Sequence, residues 1–294
     1  MATPTPGSPN WNATCLGNDA SAGAVASLIA RPRPNDHLRA VHHLFLLLGA
    51  GLLAGAMNAA AGGGSFVTFP VLVLTGLPSV AANASSTVAL FPGSLASTWA
   101  YRAELTGVAD TPLNVLVTVS LAGGACGAVL LLATPSSTFD VIIPWLLLLA
   151  TLAFAFGGRI GASLSRHIRI GSSIVLPIQF VLAIYGGYFG GAVGIMMMAV
   201  WSLLGRVNLK AVNPAKTLLV AAANAIAVLC FIVAGAVWWS STTIMLVAAI
   251  VGGYAGARIA RRLDARLIRA GVLLISCGMT VLMFIRAWPR LAGL

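Results

Sequence analysis

The polar residues best placed to hold a small ligand stand at two glycine breaks. The first is Gly62-Gly63-Gly64, flanked by Asn58 and Ser65, with Thr68 in the following turn. Consecutive glycines adopt conformations that residues with a Cβ resist, and they let a ligand approach the backbone closely. A helix starting at such a break exposes unpaired N–H groups and the positive end of its dipole, which favours an anion. The hydroxyls of Ser65 and Thr68 either cap that helix or hold an oxyanion. The second break lies in Tyr185-Gly-Gly-Tyr-Phe-Gly-Gly-Ala-Val-Gly194, with Gly190 and Gly191 at its centre. Close helix packing is the alternative use of glycine. It better explains the spaced pairs Gly123/Gly127, Gly157/Gly161 and Gly252/Gly256.

A polar element follows each break. Asn83-Ala-Ser-Ser86-Thr87 has its counterpart in Asn213-Pro-Ala-Lys216-Thr217. Asn83 and Asn213 suit a helix N-cap, Asn213 the more so because Pro214 fits the first helical position. Contact with substrate is the equal alternative. Lys216 lies about one turn inside an apolar helix, where a cation either serves function or snorkels to the interface. Asn224 stands seven residues beyond Thr217, on the same helical face. The candidate substrate-binding set is therefore Asn58, Gly62, Gly63, Gly64, Ser65, Thr68, Asn83, Ser86, Thr87, Gly190, Gly191, Asn213, Lys216, Thr217 and Asn224.

Other chemistry finds little support. There is no HExxH, no Walker-A loop and no nucleophile elbow, which argues against an enzyme and against an ATP-driven pump. No catalytic residue, cofactor or metal site is expected. Glu104 and Asp110 fall in a loop, capping accounts for Asp140 at a helix start, and Asp264 sits among arginines. No carboxylate is placed for a buried proton relay. Cys15 lies in the N-terminal tail, and Cys126, Cys230 and Cys277 lie in apolar runs without metal or disulfide spacing. His42 and His43 read as interfacial rather than as ligands.

The elements that carry these residues are membrane helices. Of 294 residues, 59% are hydrophobic and 8% charged, with mean hydropathy +0.96, whereas soluble domains carry about 25% charged residues. The apolar runs are about 20 residues long, enough to cross about 30 Å of hydrocarbon. The net charge of +11 comes largely from loops between those runs, the pattern of a membrane protein rather than of a nucleic-acid binder. Residues 1–40, rich in Pro, Asn, Ser and Ala, read as a disordered tail. A discontinuous pair is expected at 41–61 and 65–76, then helices at 80–101, 112–133 and 139–160. A second pair is expected at 174–190 and 193–205, then helices at 212–235, 239–259 and 267–286.

The order repeats with a shift of about 130 residues: Gly64 falls on Gly194, Asn83 on Asn213, Thr87 on Thr217. Gly123, Gly124 and Gly127 fall near Gly252, Gly253 and Gly256. Two repeats are expected, at 41–165 and 171–288. If each broken pair is a hairpin returning to the side it entered, each repeat adds three full crossings and the second is inverted. The loops 102–111, 159–170, 206–216 and 258–269 then share one side, and they hold most of the Lys and Arg. The opposite inter-helix loops hold none. The positive-inside rule puts the basic loops in the cytoplasm and both termini outside. Arg31, Arg33, Arg39, Arg286 and Arg290 count the other way. The expected fold is all-α: a polytopic bundle of two inverted repeats, each a re-entrant hairpin plus three transmembrane helices.

The segments Gly55 to Pro70, Gly76-Leu-Pro78 with Ala81 to Thr87, Tyr185 to Gly194, Asn213 to Thr217 with Asn224, and Phe231/Gly235/Trp238 resemble the TauE/SafE family of sulfite and organosulfonate exporters. The resemblance spans roughly residues 40–286. It implies a secondary carrier of small sulfur-containing anions such as sulfite or sulfonates, an inverted-repeat fold, an inner-membrane location and a homodimer. The family's motif positions fall on Asn58, Gly62, Gly63, Gly64, Ser65, Pro70, Asn83, Gly187, Gly190, Gly191, Asn213 and Lys216. The expected partners are the lipid bilayer, a small anion and a coupling ion, proton or sodium; nucleic acid is not among them. The rival readings are an anion channel or a carrier of another small organic anion on the same fold, and a membrane scaffold.

Overall fold

Apolar runs with no water at hand must satisfy their own backbone, and a helix does so within one segment. The computed structural model describes residues 34–60, 63–108, 111–164, 174–204, 211–260 and 264–291, and these form ten α-helices without a named strand. In chain order they are α1 (Pro34–Ala60), α2 (Ser65–Leu74), α3 (Ser79–Ala100), α4 (Leu113–Ala133) and α5 (Ser136–Leu164). The second half holds α6 (Val175–Tyr188), α7 (Val193–Trp201), α8 (Asn213–Val233), α9 (Trp239–Ala260) and α10 (Ala265–Leu291). Both breaks and every long apolar run expected from the sequence have a counterpart here. Of the tail expected to be disordered over 1–40, residues 34–40 are helical and begin α1; the residues before 34 lie outside the described residues, as do Gly62, Gly205 and the loop cations Arg166, Arg169, Arg206, Lys210, Arg261 and Arg262.

Six helices are long and apolar enough to cross a bilayer: α1, α4, α5, α8, α9 and α10. Of the four helices at the breaks, the other three are not. With 10, 14 and 9 residues, α2, α6 and α7 reach only about 15, 21 and 14 Å against about 30 Å of hydrocarbon. The two breaks therefore differ in their first arm. Val41–Ala59 is span-length, whereas α6 begins only at Val175 and has 14 residues.

From His43 onward the chain is one packed unit. Its contacts come in pairs across the two halves. Helix α4 packs on α6 and α8, as α9 packs on α1 and α3. Helix α2 packs on α3 and α10, as α7 packs on α8 and α5. Two further pairs, α3 with α8 and α5 with α10, join elements at matching places in the two halves. Small residues set the closest approaches. A Cβ on Gly127 would collide with the Ile184 carbonyl, and one on Gly252 with the Leu52 carbonyl. Gly123, Gly127, Gly252 and Gly256 thus stand at close helix–helix approaches, as expected for packing glycines.

Beneath the breaks lies an aromatic cluster. Phe69 meets Phe139 and Phe189 edge-on, with ring centroids 6.4 and 6.1 Å apart, and Phe139 meets Tyr188 at 5.4 Å. Phe69, Phe139 and Phe189 are buried. Such pairs add about 0.5–1.5 kcal/mol each beyond area burial. They join α2 and α5 to the second break.

Candidate functional site

Both breaks open onto one cavity of about 400 Å³. Its walls are single faces of two counterpart helices. Helix α3 supplies Thr87, Leu90, Ser94 and Ser97, ending at Tyr101, and α8 supplies Asn213, Lys216, Thr217, Val220 and Asn224. The three- and four-residue steps are those of one helical face. Thr87, Leu90 and Ser94 stand 130 residues before Thr217, Val220 and Asn224. Asn58 and Ala59 of α1 line one side, with Gly63 and Ser65 of the first break. Phe189, Gly190 and Ala192 of the second break and the first turn of α7 line another.

The backbone at each break takes conformations open chiefly to glycine. Gly63 has φ +119 and Gly190 φ +79. Ala192 also has positive φ, at 58, immediately before α7. The heads of α2 and α7 line the cavity through Ser65, Val193 and Gly194, while the N–H groups of Phe66, Val67, Ile195 and Met196 bond back to the Gly63, Gly64 and Ala192 carbonyls. Lys216 is the one charged side chain among the lining residues. Its stem lies against Gly194, whose Cβ position is 3.3 Å from Lys216 Cδ and 3.6 Å from Cε. The stem of the lysine is thus laid along the head of α7.

The sequence-derived set divides in two. Asn58, Gly63, Ser65, Thr87, Gly190, Asn213, Lys216, Thr217 and Asn224 line the cavity. Gly62 lies outside the described residues. Gly64, Thr68, Asn83, Ser86 and Gly191 are buried and off the lining. Thr68 shares a hydrogen bond with Ser86 at 2.5 Å, tying α2 to α3. Asn83 Nδ2 donates to the Tyr188 carbonyl at 2.9 Å, tying α3 to the end of α6. A Cβ on Gly64 would meet the Ala54 carbonyl at 2.6 Å, and one on Gly191 the Phe189 ring at 2.7 Å.

Neither asparagine caps a helix. Asn83 lies inside α3, whose N-cap is Pro78, and α8 has Val212 at its N-cap with no side-chain cap bond. Pro214 does occupy the start of α8. Asp140, expected as a cap, lies within α5 and accepts the Ser79 hydroxyl. The sequence reading passed over Ser94, Ser97 and Tyr101. The signal was available, because they continue the Thr87 face at helical steps.

The cavity has a closed end and an open one. Phe189 backs it with the aromatic cluster, at the end where α3 begins beside Asp140. From there the α3 face runs to exposed Tyr101. Arg102 stacks on Trp99 at 4.4 Å just beyond.

No solved structure matches the chain. Among curated proteins it is similar to the probable membrane transporter protein YfcA of Escherichia coli strain K12, with 28% identity over 240 residues, covering 80% of this chain and 88% of that one. A probable membrane transporter protein of Haemophilus influenzae is 30% identical over 243 residues, covering 82% of this chain and 94% of the relative. A further one from Sinorhizobium, ORF9, is 27% identical over 246 residues, covering 82% and 92%. These relatives and the six span-length helices make the chain an integral membrane transporter, not an enzyme. Residues 47–283 match the family model described as sulfite exporter TauE/SafE, and the chain belongs to that family.

Proposed function

We propose that the chain is a secondary carrier of small sulfur-containing anions, with sulfite and organosulfonates as the leading class. One observation carries the reading: a cavity at both breaks whose single charged lining side chain is Lys216. Asn58, Ser65, Asn213 and Asn224 line it without a hydrogen-bond partner among the described residues. Amide N–H groups, a hydroxyl, an ammonium and two helix heads suit a compact oxyanion. Access from one end, against an aromatic layer at the other, favours a carrier over a channel.

The paired contacts and the register of 130 residues between wall residues support two inverted repeats, with the broken helices entering and leaving on one side. In that topology both termini are extracytoplasmic, the open end faces the cytoplasm, and a homodimer sits in the inner membrane. Alternating access then requires the α2 and α7 hairpins to part from the aromatic cluster.

The test is a thermal-shift panel of sulfite, thiosulfate, taurine, sulfoacetate and simple carboxylates on the purified chain, followed by counterflow in proteoliposomes. A ligand that binds the folded state raises its melting temperature. Stabilisation and counterflow by sulfur oxyanions above carboxylates are expected. Equal response to carboxylates sinks the substrate class, and uncoupled downhill leak without counterflow turns the reading to a channel.

A further inference from the structure

The two long walls of the cavity carry the same bands of residues in opposite chain order. Their common floor is at Gly190, whose Cβ position lies 3.9 Å from Thr87 Oγ1 and 4.0 Å from Asn224 Oδ1. From Thr87 the α3 lining runs toward the C-terminus of its helix, through Leu90 and Ser94. From Asn224 the α8 lining runs toward the N-terminus of its helix, through Val220 and Thr217. The walls are therefore antiparallel along the cavity. About one turn from the floor each presents an aliphatic side chain, Leu90 or Val220. Seven residues from the floor each presents a hydroxyl, Ser94 or Thr217, with Lys216 beside the second.

Neighbouring elements hold these levels. The Cβ position of Gly64 is 3.2 Å from Leu90 Cδ2, and that of Gly93, next to Ser94, is 3.5 Å from Asn58 Nδ2. The Cβ position of Gly194 is 3.6 Å from both Lys216 Cε and Val220 Cγ2. Polar chemistry thus falls at two stations with an apolar waist between them. Lys216, Asn58 and Ser94 form the upper one, which carries the charge. Thr87 and Asn224 form the floor, which carries none. Two helical turns separate them, about 10 Å along either wall.

A bare sulfite reaches one station only, whereas the cavity of about 400 Å³ has the size of a site for a larger molecule. The chemistry of the floor says what the far end of that molecule must be. Thr87 Oγ1 gives its proton to the Asn83 carbonyl at 2.9 Å, so toward the cavity it can only accept. The Asn224 amide both donates and accepts. A neutral hydroxyl answers both. An ammonium would be desolvated there without a counter-charge, because no carboxylate is among the described lining residues.

We infer that the guest is a hydroxyalkyl oxyanion: its charged head lies at Lys216 and Asn58, its alkyl chain between Leu90 and Val220, and its hydroxyl on Thr87 and Asn224. This rests on the carrier reading above and narrows it, since Asn224 serves the far end of the guest instead of its oxyanion.

The experiment is isothermal titration of the full-length chain in detergent with ethane-, propane- and butanesulfonate, each against its terminally hydroxylated derivative, and with taurine. At one chain length the hydroxyl is expected to tighten binding about five-fold, the usual worth of a neutral hydrogen bond. Taurine is expected to bind more weakly than 2-hydroxyethanesulfonate. Thr87→Val and Asn224→Leu should each bring the ratio of hydroxyalkyl to alkyl affinity to about one. Lys216→Gln should weaken both members of a pair and keep their ratio. A ratio near one at every chain length in the wild type overturns the two-station guest and leaves the carrier reading standing. A ratio that survives both floor substitutions, or taurine binding as tightly as the hydroxyl compound, overturns the assignment of the floor. If no sulfonate binds, the proposed substrate class fails, and 3-hydroxypropanoate against propanoate decides the floor. A hydroxyl gain there that Asn224→Leu removes upholds it, and no gain overturns it.

Discussion

Lys216 concentrates the electrostatics of the cavity in one side chain. Lys216→Gln is one bond shorter, keeps a polar end and removes the charge, and should weaken anion binding by at least about ten-fold, since a hydrogen bond to a charged partner carries roughly 1.5–3 kcal/mol. Isothermal titration with the preferred anion measures this, and unchanged affinity would displace the lysine from the site. Gly194 works through Lys216. Its missing Cβ leaves a gap of 3.3 Å to the lysine stem, tight enough that a methyl must push the stem aside. Gly194→Ala should therefore weaken binding less than Lys216→Gln while leaving the melting temperature of the ligand-free chain within a few degrees. At this scale the sequence announced Asn58, Ser65, Lys216 and Asn224 because each is polar in an apolar run. It singled out Thr68, Asn83 and Ser86 for the same reason, and these lie buried off the cavity lining. Polarity marks a residue that needs a partner, and only the fold decides whether that partner is a ligand or the Tyr188 carbonyl.

Among the elements, the hairpins depend on small residues behind them. Gly127→Leu would drive a side chain into the Ile184 carbonyl where α4 and α6 touch, and Gly252→Leu does the same where α9 meets α1. Overpacking typically costs about 1–3 kcal/mol and more against backbone. Both variants should melt well below the wild type, and a neutral result at either would refute the close approach. The far end of α2 is fixed differently. Arg286 donates to the Val73 carbonyl at 3.2 Å, and Ser79 at the head of α3 donates to Asp140. The helix boundaries were legible from periodicity and breakers to within a few residues. The inequality of the two first arms was not, because apolar length alone does not say where a run turns polar enough to stop. The α3 cavity face was visible as a spacing but was obscured by its serines, which serve equally as ordinary helix hydroxyls.

For the whole molecule, sidedness is the quantity to measure. A chain without its own cysteines, carrying Ser97→Cys or Tyr101→Cys, should react with an impermeant thiol reagent from the side of the basic loops. The same chain carrying Ser79→Cys should not. Labelling of Ser97→Cys from the opposite face in the absence of ligand would reverse the topology drawn from loop charge. The sequence offered matched glycines at a shift of about 130 residues, and the contacts of α4 with α6 and of α9 with α1 show what those glycines pack against. Loop charge carried the inversion argument, yet several of its cations lie outside the described residues.

The counterpart of Lys216, 130 residues earlier, is Ser86, buried and bonded to Thr68. Among the lining residues charge thus stands on the α8 wall only. The cavity has a polarity of its own, a head and a foot, and a guest with one ionised end has a single way to lie in it. A guest ionised at both ends gains nothing from its second charge. Ethane-1,2-disulfonate should therefore bind no more tightly than ethanesulfonate, and this preference for lopsided guests would follow from a lining whose one charged side chain is Lys216.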